Sequence, residues 1–197
     1  MLYQICIIIF WYYAVHESEL RKVPENNSKM EYLNVNLTGL RGKHHPSLSD
    51  IITVEEVRKC RPHLKFLTGD YLTYQLKFDQ SGSGSPLCRI CRNENETISH
   101  IISTCPQYST TRQRIFKEFE ELCALAKTNV NFQHIESNPK TSTQFILDPC
   151  SFNLYERIHI KDPLLPKYFK LSRTLCYSIH NVRIKCLQEL SKTQTIK

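Results

Sequence analysis

The feature that most constrains this chain is a C-x2-C-x8-H-x4-C motif formed by Cys88, Cys91, His100 and Cys105. Thiolates and imidazoles are preferred ligands of Zn²⁺, and two residues between cysteines allow a tight turn with both sulfur atoms on one ion. Four protein ligands leave no open coordination position, which is typical of a structural zinc site rather than a catalytic one. The motif therefore predicts one structural Zn²⁺ ion, bound by these four side chains.

The alternative is that these four residues are unrelated members of a chain that contains nine cysteines. The other six cysteines are scattered and mostly flanked by apolar residues, as small buried side chains would be. They are Cys6, Cys60, Cys123, Cys150, Cys176 and Cys186. The odd total and the cluster of free thiols favour a reducing compartment. The loop from Arg92 to Ser99, together with Arg89 just before it, has a charge near zero, so the metal motif need not bind phosphate by itself.

Charge is concentrated at the C-terminal end of the chain. The formal net charge is +7, and residues 161–197 contain eight Lys or Arg against two acids, which alone gives +6. A basic segment favours polyanionic partners, so we predict RNA or DNA contacts on this segment. The candidate residues are Lys167, Lys170, Arg173, Arg183 and Lys185. The alternative is an ordinary solvated helix face.

Residues 1–15 are almost wholly apolar, but the run is shorter than the roughly 18 residues expected of a membrane-spanning helix. The run also lacks the basic start of a signal peptide, and no clear cleavage site follows it. A signal or anchor is one interpretation; a buried strand or helix, or a start site that is not the natural one, are the others. We expect an intracellular protein of the nucleus or cytoplasm, without a membrane partner.

Hydrophobic periodicity predicts a mainly α-helical fold in which a small Cys-Cys-His-Cys unit lies between helices and a helical part follows. A short alternating run at residues 32–37 predicts a strand, and Thr53 with Glu56 predicts a helix start. Pro62 is expected to interrupt or divide that helix, and Gly69 to end a helix or form a turn. Further helices are predicted at residues 108–127, 141–147 and 167–191. Thr97 or Ser99 is expected to cap a short helix that carries His100.

Four segments follow from these patterns. Residues 1–29 are an apolar run and linker, and residues 30–63 a lead-in with a strand and a helix. Residues 64–127 contain the zinc-binding unit, and residues 128–197 form a helical, basic tail region.

Three pieces of the sequence together resemble the zinc-binding C-terminal region of non-LTR retrotransposon reverse transcriptases. They are Leu67-Thr-Gly-Asp-Tyr-Leu72, Cys88-Arg-Ile-Cys91 and Glu96-Thr-Ile-Ser-His-Ile-Ile-Ser-Thr-Cys-Pro106. Weaker similarity covers roughly residues 30–190. The resemblance implies a Zn²⁺-binding module, with a possible RNA or DNA partner, that belongs to a larger polyprotein and follows a reverse transcriptase. By that resemblance, this chain is a fragment of such an element.

Catalytic motifs are not found in the sequence. No Tyr-x-Asp-Asp-type pair and no spaced set of acids for two-metal ribonuclease H chemistry is present. Asp148, Glu156 and Lys161 are the nearest candidates for a nuclease, but their spacing does not match an acid-x-Lys core. Cys176 and His180 lie one helical turn apart, which core packing explains better than a nucleophile. We therefore predict a non-enzymatic, zinc-stabilised nucleic-acid-binding module, with a structural or protein-interaction module as the alternative.

Overall fold

The computed structural model describes residues 32, 46–48, 51–125, 132–148 and 164–194 of the chain. Within these ranges the secondary structure is helical, apart from turns and one isolated antiparallel bridge between Leu87 and Asn95. The predicted mainly α-helical fold, with the Cys-Cys-His-Cys group between helices and a helix after it, is confirmed. Of the predicted strand at residues 32–37, only Tyr32 is described, as a buried turn residue, and the remainder lies outside the described residues.

Two hydroxyl caps start the first two helices. Helix α1 spans Val54–Leu67, and the Thr53 side chain accepts a hydrogen bond from the backbone N–H of Glu56, as the sequence predicts. Helix α2 spans Tyr74–Ser81, and Thr73 caps it in the same way through the N–H of Leu76. Such caps satisfy N–H groups that have no partner inside the helix.

The prediction that Pro62 interrupts the first helix is wrong, because α1 continues through Pro62 to Leu67. Proline removes one backbone hydrogen bond and normally costs about 3 kcal/mol in a helix interior. Here the proline ring is buried with its neighbour His63, so packing offsets that loss. Gly69 has a φ of 74°, which suits glycine, and lies in the turn between α1 and α2 as predicted.

Four α-helices lie in the described residues after the metal motif. Helix α3 spans Ser109–Leu125, α4 spans Phe132–Ser137, α5 spans Pro139–Leu147 and α6 spans Leu165–Gln194. The three predicted helices at 108–127, 141–147 and 167–191 are thus present, with ends shifted by a few residues. Asn138 caps α5 by accepting a hydrogen bond from the N–H of Thr141.

One hydrophobic core joins these elements, because α6 packs against both α1 and α3. Its centre is aromatic: the ring of Phe119 lies 5.5 Å from Phe145 and 4.8 Å from Tyr168, between centroids. The Tyr168 hydroxyl donates to the carbonyl of Phe145, and Ser172 donates to the carbonyl of Ile146. The core therefore crosses the predicted segment boundaries at 63/64 and 127/128.

Candidate metal centre

The four predicted ligands lie together. The Sγ atoms of Cys88, Cys91 and Cys105 and a ring nitrogen of His100 are all within 4.8 Å of one another. Cys88 and Cys105 are fully buried, His100 is 3% exposed, and Cys91 is half-buried. A buried set of three thiols and one imidazole can hold a metal ion, so the metal-binding part of the prediction is supported by the geometry.

A tight turn positions the first two ligands. The N–H of Arg92 donates to the carbonyl of Cys88 at 2.8 Å, and the N–H of Cys88 donates to the carbonyl of Glu94 at 2.8 Å. Arg92 has a φ of 59°, in the left-handed region that non-glycine residues rarely occupy. This local fold brings both sulfur atoms of the C-x2-C pair to one side of the turn.

The second ligand pair depends on one turn of π-helix from His100 to Thr104. Thr97 accepts a hydrogen bond from the His100 N–H at 3.0 Å, which confirms the predicted cap. The N–H of Cys105 donates to the carbonyl of His100 at 2.7 Å, a five-residue closure characteristic of a π-turn. Because this wider turn closes over five residues, the spacing H-x4-C places both ligands at the same site.

The imidazole of His100 is oriented by neighbours on both of its nitrogens. Nε2 lies 3.3 Å from Sγ of Cys91, while Nδ1 lies 2.9 Å from a carboxylate oxygen of Glu94 and 3.0 Å from the Thr104 hydroxyl. Thr104 also donates to that Glu94 oxygen at 3.1 Å. A carboxylate on the far nitrogen of a metal-binding histidine fixes its tautomer and increases its basicity as a ligand.

The protonation of the ligand set follows from these contacts. A hydrogen bond with Cys105 lowers the pKa of Cys88 to about 3, despite burial, and the same bond together with burial raises the pKa of Cys105. Burial lowers the pKa of His100, but hydrogen bonds to Cys88 and Glu94 outweigh it and raise the pKa to about 9. The group thus favours a thiolate at Cys88, which is the form that binds metal, whereas His100 must release a proton when its ring nitrogen binds an ion.

Glu96 connects the metal loop to the C-terminal helix, a role that sequence reasoning missed. Its fully buried carboxylate accepts hydrogen bonds from Arg183 Nε at 3.1 Å and Nη2 at 2.8 Å, and from the Tyr74 N–H at 2.8 Å. One of its oxygens lies 3.9 Å from Sγ of Cys88. The only hint in the sequence was an acid inside the metal loop, and its partner lies 87 residues away.

The predicted nucleic-acid residues have three different environments. Lys167, Lys170 and Lys185 are exposed on α6, as contact with a polyanion requires, and their binding stays a prediction. Arg183 is half-buried and paired with Glu96. The prediction for Arg173 is wrong, because its side chain is only 1% exposed. Its guanidinium donates to the carbonyl of Ser47 at 2.8 Å and to Glu56 at 3.4 Å, so buried polar partners account for it.

The described residues among the catalytic candidates have environments that do not favour a catalytic role. Asp148 is fully buried at the end of α5, and Glu156 and Lys161 lie outside the described residues. Cys176 is fully buried, and burial raises its pKa well above the ordinary value, which disfavours a reactive thiolate. His180 instead forms a hydrogen bond through Nδ1 with the Tyr71 hydroxyl at 2.9 Å.

Comparison with known proteins gives no family for this chain: no family model, no curated protein and no solved structure matches it. Within the part of the chain that the structure describes, no helix is both long and apolar enough to cross a membrane. The apolar run at residues 1–15 lies outside the described residues.

Proposed function

We propose that this chain is a zinc-stabilised nucleic-acid-binding module without catalytic activity of its own. The observation that carries the proposal is the buried convergence of three cysteine sulfurs and one histidine nitrogen within 4.8 Å. The donor atoms are soft, and there are four of them, which suits tetrahedral coordination. Both properties favour Zn²⁺ over ions that prefer oxygen ligands. The bound ion would cross-link the four ligand residues and neutralise the thiolate charges, and it would have a structural role, not a catalytic one.

Residues around the ligands would position them for the metal and connect the metal loop to the rest of the protein. Glu94 and Thr104 orient His100, the turn at Cys88–Cys91 positions two thiolates, and Glu96 links the loop to α6. Structural zinc contributes its binding free energy directly to folding, so the surrounding surface would be ordered by the metal.

Nucleic acid is the proposed partner because of the net charge of +7 and the exposed lysines of α6. The resemblance of the Cys-Cys-His-Cys region to reverse transcriptases of non-LTR retrotransposons supports the same proposal, as part of a longer element that acts in the nucleus or cytoplasm. The proposed origin and partner stand on sequence similarity and charge together.

A protein-interaction module is the second candidate. The observation that favours it is that two of the five predicted phosphate contacts, Arg173 and Arg183, are already paired with the carboxylates of Glu56 and Glu96. Only three lysines of that set are left exposed on a 30-residue helix.

A salt titration separates the two functions. The zinc-loaded, reduced chain is mixed with labelled single-stranded RNA and DNA, and affinity is measured by fluorescence anisotropy over a range of KCl concentrations. Nucleic-acid binding predicts that the logarithm of the affinity falls linearly with the logarithm of the salt concentration. Absent or salt-insensitive binding would contradict the proposal and favour a protein partner.

A further inference from the structure

Three cations surround a single tyrosine ring beside the metal loop. The guanidinium carbon of Arg89 lies 4.7 Å from the centroid of Tyr74, Lys77 Nζ lies 5.2 Å away, and the Arg183 guanidinium lies 5.9 Å away. Tyr74 is half-buried at the start of α2, whereas Lys77 and Arg89 are exposed. A ring face attracts cations, which explains why positively charged side chains lie around this ring.

The charges at this ring are only partly balanced. Arg183 is neutralised by Glu96. Among the described residues, no ion pair joins Lys77 or Arg89 to an acid. Asp79 is close in sequence, but it is two residues from Lys77 and therefore on another side of α2, where it accepts a hydrogen bond from Gln75 at 2.7 Å. Two exposed positive charges thus lie against one ring without a counter-ion from the described residues, so this surface can attract an anion.

The surroundings of the ring fit a nucleic acid better than an acidic peptide. A guanidinium matches the geometry of a phosphate, and an aromatic side chain beside it can contact an unpaired base or sugar. Two exposed apolar side chains, Leu72 at 51% and Leu87 at 43%, lie two residues before Tyr74 and Arg89, respectively. Arg89 lies inside the turn between Cys88 and Cys91, so the metal site also positions this cation.

We propose that the surface formed by Tyr74, Lys77 and Arg89 binds phosphate groups of single-stranded nucleic acid, which locates a contact beside the metal loop in addition to the exposed lysines of α6. The inference rests on the proposed nucleic-acid function and names its binding face. It makes Arg183 a positioning residue: through its pair with Glu96 it helps to place Tyr74, whose N–H donates to the same carboxylate.

The test measures binding of the full, zinc-loaded chain to a labelled oligo-uridine and an oligo-thymidine at several KCl concentrations. The double variant Lys77→Gln/Arg89→Gln is expected to weaken binding about tenfold and to reduce the salt slope by about 1.4, since each lost contact to a single strand accounts for about 0.7. The matched control is Arg114→Gln/Lys117→Gln, which removes one exposed Arg and one exposed Lys from α3 and should change affinity by less than about twofold.

A second comparison uses Lys167→Gln/Lys170→Gln on α6. If this variant weakens binding while Lys77→Gln/Arg89→Gln does not, the inference is overturned and the proposed function stands. Equal losses in all three double variants would overturn it as well, because they would reflect net charge alone. If the unaltered chain does not bind either oligonucleotide, the proposed function fails and the inference fails with it.

Further controls keep the outcome interpretable. Zinc content and circular dichroism are recorded for each variant, and Lys77→Gln alone, outside the metal turn, should still reduce the salt slope by about 0.7 if the double variant loses metal. Unlabelled poly-glutamate is added as a competitor at equal charge concentration. Displacement of the oligonucleotide by poly-glutamate as effectively as by unlabelled oligo-uridine would overturn the assignment to nucleic acid.

Discussion

Glu94 and Cys91 lie on opposite nitrogens of the His100 ring, and this placement makes Glu94 a residue whose effect on the metal can be measured. The variant Glu94→Gln keeps the size of the side chain but removes its charge. Loss of a carboxylate behind a metal-binding histidine typically weakens metal affinity by about 10- to 100-fold. We expect a loss in that range in a competition titration with a chromophoric zinc chelator. Glu118→Gln, an exposed acid on α3, is the control, and an equal loss in both variants would contradict the role of Glu94.

The buried pair of Glu96 and Arg183 gives a second prediction at the residue scale. Removal of one partner leaves an uncompensated charge in the protein interior, which typically costs about 3–5 kcal/mol. We expect Arg183→Met to lower the free energy of unfolding of the zinc-loaded chain by an amount near that range in urea denaturation. Lys117→Met is the matched control, because Lys117 is exposed on α3, and substitutions at such surface positions typically change the free energy of unfolding by less than about 0.5 kcal/mol.

The double variant Glu96→Gln/Arg183→Met tests whether the two residues act as a pair. Side chains in direct contact should show non-additive effects, so the double variant should cost clearly less than the sum of the single variants. Additive losses would mean that the two side chains stabilise the protein independently of each other.

At the residue scale, some features could be predicted from the sequence and others could not. The four ligands could be predicted because their spacing is local and their chemistry specific. The burial of Arg173 could not, because its partners Ser47 and Glu56 are more than a hundred residues away in the chain. A count of Lys and Arg cannot distinguish a cation that faces solvent from one that is satisfied inside the core.

At the scale of elements, the two threonine caps provide a prediction about helix starts. Thr53→Ala should lower the free energy of unfolding by about 1 kcal/mol, because the N–H of Glu56 loses its acceptor. Thr73→Ala should cost at least as much, since Thr73 is only 3% exposed and water cannot easily replace its hydroxyl. Thr110→Ala, at an exposed position in the first turn of α3, is the control in the same urea titration. Equal effects at all three positions would contradict the capping roles.

Helices with a regular spacing of apolar residues were predictable at this scale. Local departures from a regular α-helix were not. The repeat in α6 places Phe169, Cys176 and Ile179 in the core, as the sequence suggests. Pro62 was misleading because a local rule about proline does not include the burial of its ring. The π-turn from His100 to Thr104 was also not predicted, because a helical pattern assumes closure over four residues, whereas here the N–H of Cys105 donates to the carbonyl of His100, five residues earlier.

At the scale of the whole molecule, the metal site and α6 should be coupled. Glu96 joins the metal loop to Arg183, and α6 packs against α1 and α3, so metal loss should loosen more than the loop. We expect removal of the metal by a chelator to increase amide hydrogen exchange both in residues 88–105 and around Arg183 in α6. Exchange that changes only in residues 88–105 would contradict the coupling.

The most direct test of the central claim is the metal content of the full chain, purified under reducing conditions and measured by inductively coupled plasma mass spectrometry. Four ligand atoms within 4.8 Å predict about one zinc per chain, and Cys88→Ser should reduce this value strongly, whereas Cys123→Ser, a buried cysteine outside the metal site, should not. Freshly purified, reduced protein that contains no zinc and takes up none on addition would contradict the claim.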